Sequence, residues 1–223
     1  GIDNIVFISI LAGKLPENQQ KKARQLGLAL AMITRVLLLL SLSWVMGLTA
    51  NIFNIGDWFG ITNQEWLTKL GISGRDLILL IGGLFLIYKS TKEIYHKTEL
   101  ANSSDQPVVP KTSTFKRLLL EIILLDLVFS IDSIITAIGM AQELWVMYTS
   151  VIVAVVIMIF ASQPISFFIK KHPSFKILAL SFLMMIGLSL IAEGFHLSIP
   201  KGYIYFSMAF AFIVDIIQMK TVK

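Results

Sequence analysis

Two apolar stretches of the chain each hold an aspartate in the same setting. They read Gly1-Ile2-Asp3-Asn4-Ile5-Val6-Phe7 and Ser130-Ile131-Asp132-Ser133-Ile134-Ile135-Thr136, with the aspartates 129 positions apart. A carboxylate in an apolar segment is costly to keep, so a duplicated one points to a buried polar site built from two parts. Carboxylates from two facing half-sites can coordinate a hard divalent cation, and oxygen-only ligation suits Mg, Ca or Mn. Asp3 and Asp132 are therefore the leading metal ligands, with Asp126 and Asn4 assisting and Ser133 and Thr136 able to add neutral oxygens. On a straight helix the six residues from Asp126 to Asp132 turn through about 240° net, which would aim the two carboxylates apart. The expectation is that the helix unwinds near Ser130, as helices at transporter ion sites often do. The alternative is that one carboxylate faces the site and Asp126 pairs with a neighbour. Glu121 returns to nearly the face of Asp132 and is either the cytoplasmic mouth of a cation path or a carboxylate balancing Lys116 or Arg117. Arg35 has no neighbouring charge in sequence and needs a buried carboxylate partner. A structural salt bridge is its simpler role, and tuning an ion site the other. Glu193 and His196 read as a solvated helix end, with an outer vestibule as the alternative.

The elements that position these residues are membrane helices. The 223 residues are 56% hydrophobic and 15% charged, with a mean hydropathy of +0.78, against about 25% charged in a soluble domain. There is no cysteine, so disulfides and thiolate metal sites are excluded. No period-two alternation suggests a β-barrel. Apolar runs predict helices at 1–13, 26–50, 76–95, 118–141, 144–168, 175–195 and 203–219. The first is too short to span a bilayer, which predicts that it extends upstream of Gly1. Lys and Arg number 15 in alternate loops and the C-terminus, against 3 on the opposite side. That asymmetry puts the N-terminus outside and the C-terminus in the cytoplasm. The basic pI of 9.4 thus reflects topology and not nucleic-acid binding. Residues 97–116, with Ser103, Ser104, Pro107 and Pro110, read as a flexible cytoplasmic linker. In the outer loop 51–75, Trp58, Phe59, Trp66, Leu67 and Leu70 suggest an interfacial helix near 63–70.

The third and sixth segments also correspond. Gly83-Leu84-Phe85-Leu86-Ile87 matches Gly187-Leu188-Ser189-Leu190-Ile191 at an offset of 104. A unit of three helices is odd in number, so its second copy enters from the opposite side. The plan is an all-α, polytopic, single membrane domain over 1–223: repeat one at about 1–95, repeat two at about 118–195, and a last helix at 203–219. Such inverted repeats hold transporter sites near the midplane. At ~1.5 Å per residue, Asp3 and Asp126 lie roughly 15 Å from the flanking cytoplasmic basic residues and Asp132 about 22 Å, all in the middle zone of a core ~30 Å thick. No nucleophile motif or phosphate loop argues for an enzyme.

The Gly1–Phe7 run together with Leu125-Asp126-Leu127-Val128-Phe129-Ser130-Ile131-Asp132-Ser133 resembles the TerC family, as do Arg75–Ile87, His172-Pro173 and Pro200–Phe206. The likeness extends over essentially the whole chain and is greatest to the short, single-domain bacterial branch. It implies a seven-helix inner-membrane protein related to the LysE transporter superfamily, in a family named for tellurite resistance. Several members are linked to manganese efflux and some to metal loading of exported proteins. The family's first motif usually carries a Glu six residues before the Asp; by the internal repeat it matches Asp126, and here it would precede Gly1. The resulting expectation is a divalent-cation exporter, for Mn2+, working by alternating access, with the metal as transported ion and no permanently bound cofactor. Its partners are the lipid bilayer and the metal ion, with no nucleic acid, and a homo-oligomer is compatible with the sequence. The competing expectation is a non-transporting membrane scaffold for metal handling or tellurite stress. An oxyanion exporter ranks third, with Arg35 as its single candidate cation.

Overall fold

The computed structural model describes residues 2–54, 60, 63, 71–98, 115–140, 143–197 and 199–221. The interfacial helix expected near 63–70 and most of the linker at 97–116 lie outside the described residues. In chain order the elements are α1 (Ile2–Ala12), α2 (Glu17–Leu40), α3 (Leu42–Gly47), β1 (Asn51–Asn54), β2 (Gly71–Ser73), α4 (Gly74–Thr98), α5 (Phe115–Met140), α6 (Leu144–Lys171), α7 (Pro173–Gly194) and α8 (Lys201–Thr221).

Hydropathy marked the apolar part of each helix and missed the polar turns that extend it. α2 begins at Glu17, not at 26, because Glu17-Asn18-Gln19-Gln20-Lys21-Lys22 are polar but mostly good helix formers following Pro16. It ends at Leu40, where the helix breaks at Ser41 before resuming as α3. The Ser41 hydroxyl donates to the Leu38 carbonyl, a local bond that competes with the helix ladder. β1 and β2, which no sequence signal announced, pair antiparallel with Asn51 opposite Ser73 and Asn54 opposite Gly71.

Four helical stretches among the described residues are long and apolar enough to cross a membrane: Glu17–Leu40, Trp145–Lys171, Ser174–Gly194 and Lys201–Thr221. Their outer faces are apolar and uncovered. Phe160, Phe206 and Phe210 are among many large exposed hydrophobics, a surface that suits lipid and not water. The interior is held by Ile8, Leu28, Leu79, Leu86, Leu118, Ile122, Leu125, Val155 and Leu183. The protein is thus a nearly all-helical, polytopic membrane protein.

The helices interlock across the two halves of the chain: α1 packs on α6, α2 on α5 and α4 on α7. At the α4/α7 crossing the two backbones come close together at paired glycines. A Cβ added at Gly83 would meet the Gly187 carbonyl at 2.5 Å and Ile191, while one at Gly187 would meet the Gly83 carbonyl at 2.8 Å and Ile87. These contacts are reciprocal under the offset of 104, and only glycine lets the two backbones come this near.

Candidate functional site

α5 carries most of the chemistry, and it is one unbroken helix from Phe115 to Met140. The unwinding expected near Ser130 does not occur. The run from Phe115 to Ala137 contains neither Gly nor Pro, and the hydroxyls of Ser130 and Ser133 turn back to Asp126 and to the Phe129 carbonyl on the same helix. Asp126 and Asp132 therefore face different neighbours, as the geometry of a straight helix requires.

Asp126 faces α1 and α2. Its Oδ1 accepts from Asn4 Nδ2 at 2.5 Å and from Arg35 Nη2 at 2.5 Å. Its Oδ2 accepts from Arg35 Nε at 3.3 Å and from Ser130 Oγ at 3.2 Å. This is a two-toothed guanidinium–carboxylate pair, the strong form of such a contact. The side chains are 12% and 2% exposed, so the partner that Arg35 required is present and buried.

Asp132 faces α4, α7 and α8. Arg75 Nη2, near the start of α4, donates to its Oδ1 at 2.8 Å, and Lys201 Nζ, on the first residue of α8, donates to its Oδ2. Glu193, near the end of α7, lies within ion-pair range of the same two cations, at 3.6 Å from Arg75 and 3.8 Å from Lys201. Two carboxyl groups and two basic groups thus meet where α4 and α8 begin. Beside them Ser73 and Asp76 cap α4 reciprocally. Asp76 Oδ2 accepts from the Ser73 amide at 2.9 Å and hydroxyl at 2.6 Å, and the Ser73 hydroxyl accepts from the Asp76 amide at 3.2 Å. His196, whose φ is 59°, places its Nε2 2.8 Å from the Gly71 carbonyl oxygen and so ties the α7 end to β2.

Between the two aspartate clusters lies a cavity of about 90 Å³, lined among others by Asn4, Arg35, Asp132, Ser133, Ser189 and Glu193. Ser189 Oγ and Arg75 Nε are buried and have no hydrogen-bond partner among the described residues. The site residues read from the sequence are thus partly gathered. Asn4, Arg35, Asp132 and Ser133 share the cavity, and Asp126 is bonded to two of them. Asp3 belongs to α1, but its side chain lies outside the described residues. Thr136 is exposed on α5. Glu121 pairs with Lys89 at 2.8 Å and with Arg117 at 3.5 Å, about three helical turns from Asp132. Among the described residues no three acidic or histidine side chains gather at one point.

Arg75 and Lys201 are two of the three basic residues on the sparsely charged side in the sequence, and Glu193 reads there as a solvated helix end. Their signal was faint: each lies at the border of an apolar run, where positive-inside counting treats a charge as a topology marker. A second carboxylate, Glu93, bridges Lys14 at 2.5 Å and Lys176 at 2.9 Å at the opposite end of α4.

The sequence matches the integral membrane protein TerC family over residues 1–223. A UPF0053 protein of Haemophilus influenzae is 51% identical, over 99% of this chain and 87% of the relative. The UPF0053 inner membrane protein YgdQ of Escherichia coli is 45% identical, over 98% and 86%. The UPF0053 inner membrane protein YoaE of Escherichia coli is 44% identical over 97% of this chain but 39% of its own length. No solved structure matches the chain.

Proposed function

The chain belongs to the TerC family of integral membrane proteins, and we propose that it exports a divalent metal cation, Mn2+ foremost, by alternating access at its intramembrane acidic site. The observation that carries this reading is the pair Asp126 and Asp132, each 3% exposed, on a helix that borders a polar cavity through Asp132 and Ser133. Intramembrane carboxylates are expensive and mark ion pathways. The inverted-repeat plan is part of the proposal. It is supported by the interlocking of α1 with α6, α2 with α5 and α4 with α7, and by the reciprocal crossing at Gly83 and Gly187. On this plan the cluster of Arg75, Asp132, Glu193 and Lys201 closes the outward end, and Glu93 with Lys14 and Lys176 closes the cytoplasmic end. Placement in the bacterial inner membrane is supported by the likeness to the inner membrane protein YgdQ, and the N-terminus outside by the loop charges.

In this arrangement the protein acts without an enzymatic step and the metal is cargo. Asp132 and Asn4, with Asp3 in the first helix, supply oxygens, and Asp126 orients Asn4 and Arg35. The test is Mn2+ accumulation in cells lacking the native protein and carrying Asp132→Asn. We expect raised intracellular Mn2+ relative to wild type; export at the wild-type rate would remove the assignment.

One observation favours a second reading, that of a scaffold. Asp126 and Asp132 are each already matched by a basic side chain, as structural ion pairs would be. Purified protein in liposomes separates the two, since a scaffold moves no metal.

A further inference from the structure

We propose that Asp132 and Glu193 form the outward station for the divalent cation, and that the Lys201 ammonium is its tethered stand-in, holding the two carboxylates until the metal displaces it. This rests on the exporter reading and names residues and an exchange that reading does not contain. The carboxylates come from different helices, α5 and α7, yet both are within ion-pair range of Lys201 Nζ. That is the position a cation bridging them would take.

The two basic groups at this station are not equivalent. Arg75 reaches Asp132 through a side chain 21% exposed, with its Nε buried. Lys201 is 43% exposed at the cavity mouth. A strongly hydrated ammonium on a flexible stem can leave for water at little cost, whereas the guanidinium cannot. One turn before Glu193 on α7, the Ser189 hydroxyl is 4% exposed, lines the same cavity and lacks a partner. A buried hydroxyl without a bond is unfavourable unless something comes to it, and a metal needing neutral oxygen beside two carboxylates would complete it. The chemistry is that of a hard cation with oxygen ligands, and a cavity of about 90 Å³ has room for water to fill remaining positions. Exchanging an ammonium for a divalent ion changes the local charge by one unit and not two, which lowers the barrier to both loading and release.

The chain has no cysteine, so Lys201→Cys introduces a unique thiol. The experiment titrates MnCl2 into purified full-length protein and follows free Mn2+ by electron paramagnetic resonance. The forms compared are wild type, Lys201→Cys, its methyl methanethiosulfonate adduct and its aminoethyl methanethiosulfonate adduct, which restores an ammonium. Lys201→Gln serves as a second neutral variant, and circular dichroism checks the fold of each form. Removing a cation a few ångströms from the metal should tighten binding at least about tenfold in every neutral form, and the aminoethyl adduct should return to the wild-type value. Adding Glu193→Gln should abolish the gain. Equal binding by neutral and aminoethyl forms, or a gain that survives Glu193→Gln, would overturn the inference. If binding then still vanishes in Asp132→Asn, the exporter reading stands without it; if no form binds Mn2+, both fall.

Discussion

Replacing Arg35 with Met leaves the Asp126 carboxylate, 2% exposed, with Asn4 and Ser130 as its described partners. Two magnitudes compete. If the contacts at Asp126 behaved like average polar pairs inside membrane proteins, the coupling would be only ~0.6 kcal/mol. If they form a desolvated ion pair, removing one partner strands a buried charge and costs about 3–5 kcal/mol. The geometry selects the second case, because two guanidinium nitrogens address both carboxylate oxygens and the side chains are only 12% and 2% exposed. We therefore expect Arg35→Met to cost about 3 kcal/mol and Asp126→Asn a similar amount. The double variant should cost well below the sum, with a coupling of about 2 kcal/mol or more, since neither charge is then stranded. The measurement is reversible unfolding of the purified chain in mixed micelles at rising dodecyl sulfate fraction, followed by far-ultraviolet circular dichroism. Additive costs, within about 0.5 kcal/mol of the sum, would refute the ion-pair account and return Arg35 to the list of groups free to act on a transported ion.

Two other consequences concern the frame that holds the site. Gly83→Ala places a methyl 2.5 Å from the Gly187 carbonyl, so α4 and α7 must separate. A loss of about 1–3 kcal/mol is expected in the same assay, with Gly187→Ala behaving alike because the crossing is reciprocal, and a neutral result at both would show that the helices do not cross there. Asp76→Ala removes the acceptor of two bonds from Ser73 at the start of α4 and should cost about 1–2 kcal/mol; hydrogen exchange confined to the first turn of α4 would report it.

The class of the molecule was legible in the sequence because it depends on local quantities. Membrane residence follows from apolar run lengths and scarce charge, and the family from contiguous motifs such as Leu125–Ser133. The acidic residues worth watching stood out because Asp126 and Asp132 interrupt an apolar helix. Boundaries were less legible. The polar first turns of α2 and its break at Ser41 depend on propensity and on a single hydroxyl bond, which hydropathy does not weigh.

What the sequence by itself determined is the cost: carboxylates and a guanidinium within apolar segments must find partners. Which partners they find was decided only in three dimensions. Arg35 meets Asp126 across 91 residues, Arg75 meets Asp132 across 57, and Lys201 meets Asp132 across 69. Pairing at such separations follows from how helices cross, through glycine contacts such as Gly83 on Gly187, and from the rotation of a straight α5 that sends its two aspartates to different neighbours. Neither the crossing nor the rotation changes composition or spacing, so only the packed bundle shows that a border lysine closes the mouth of the cavity.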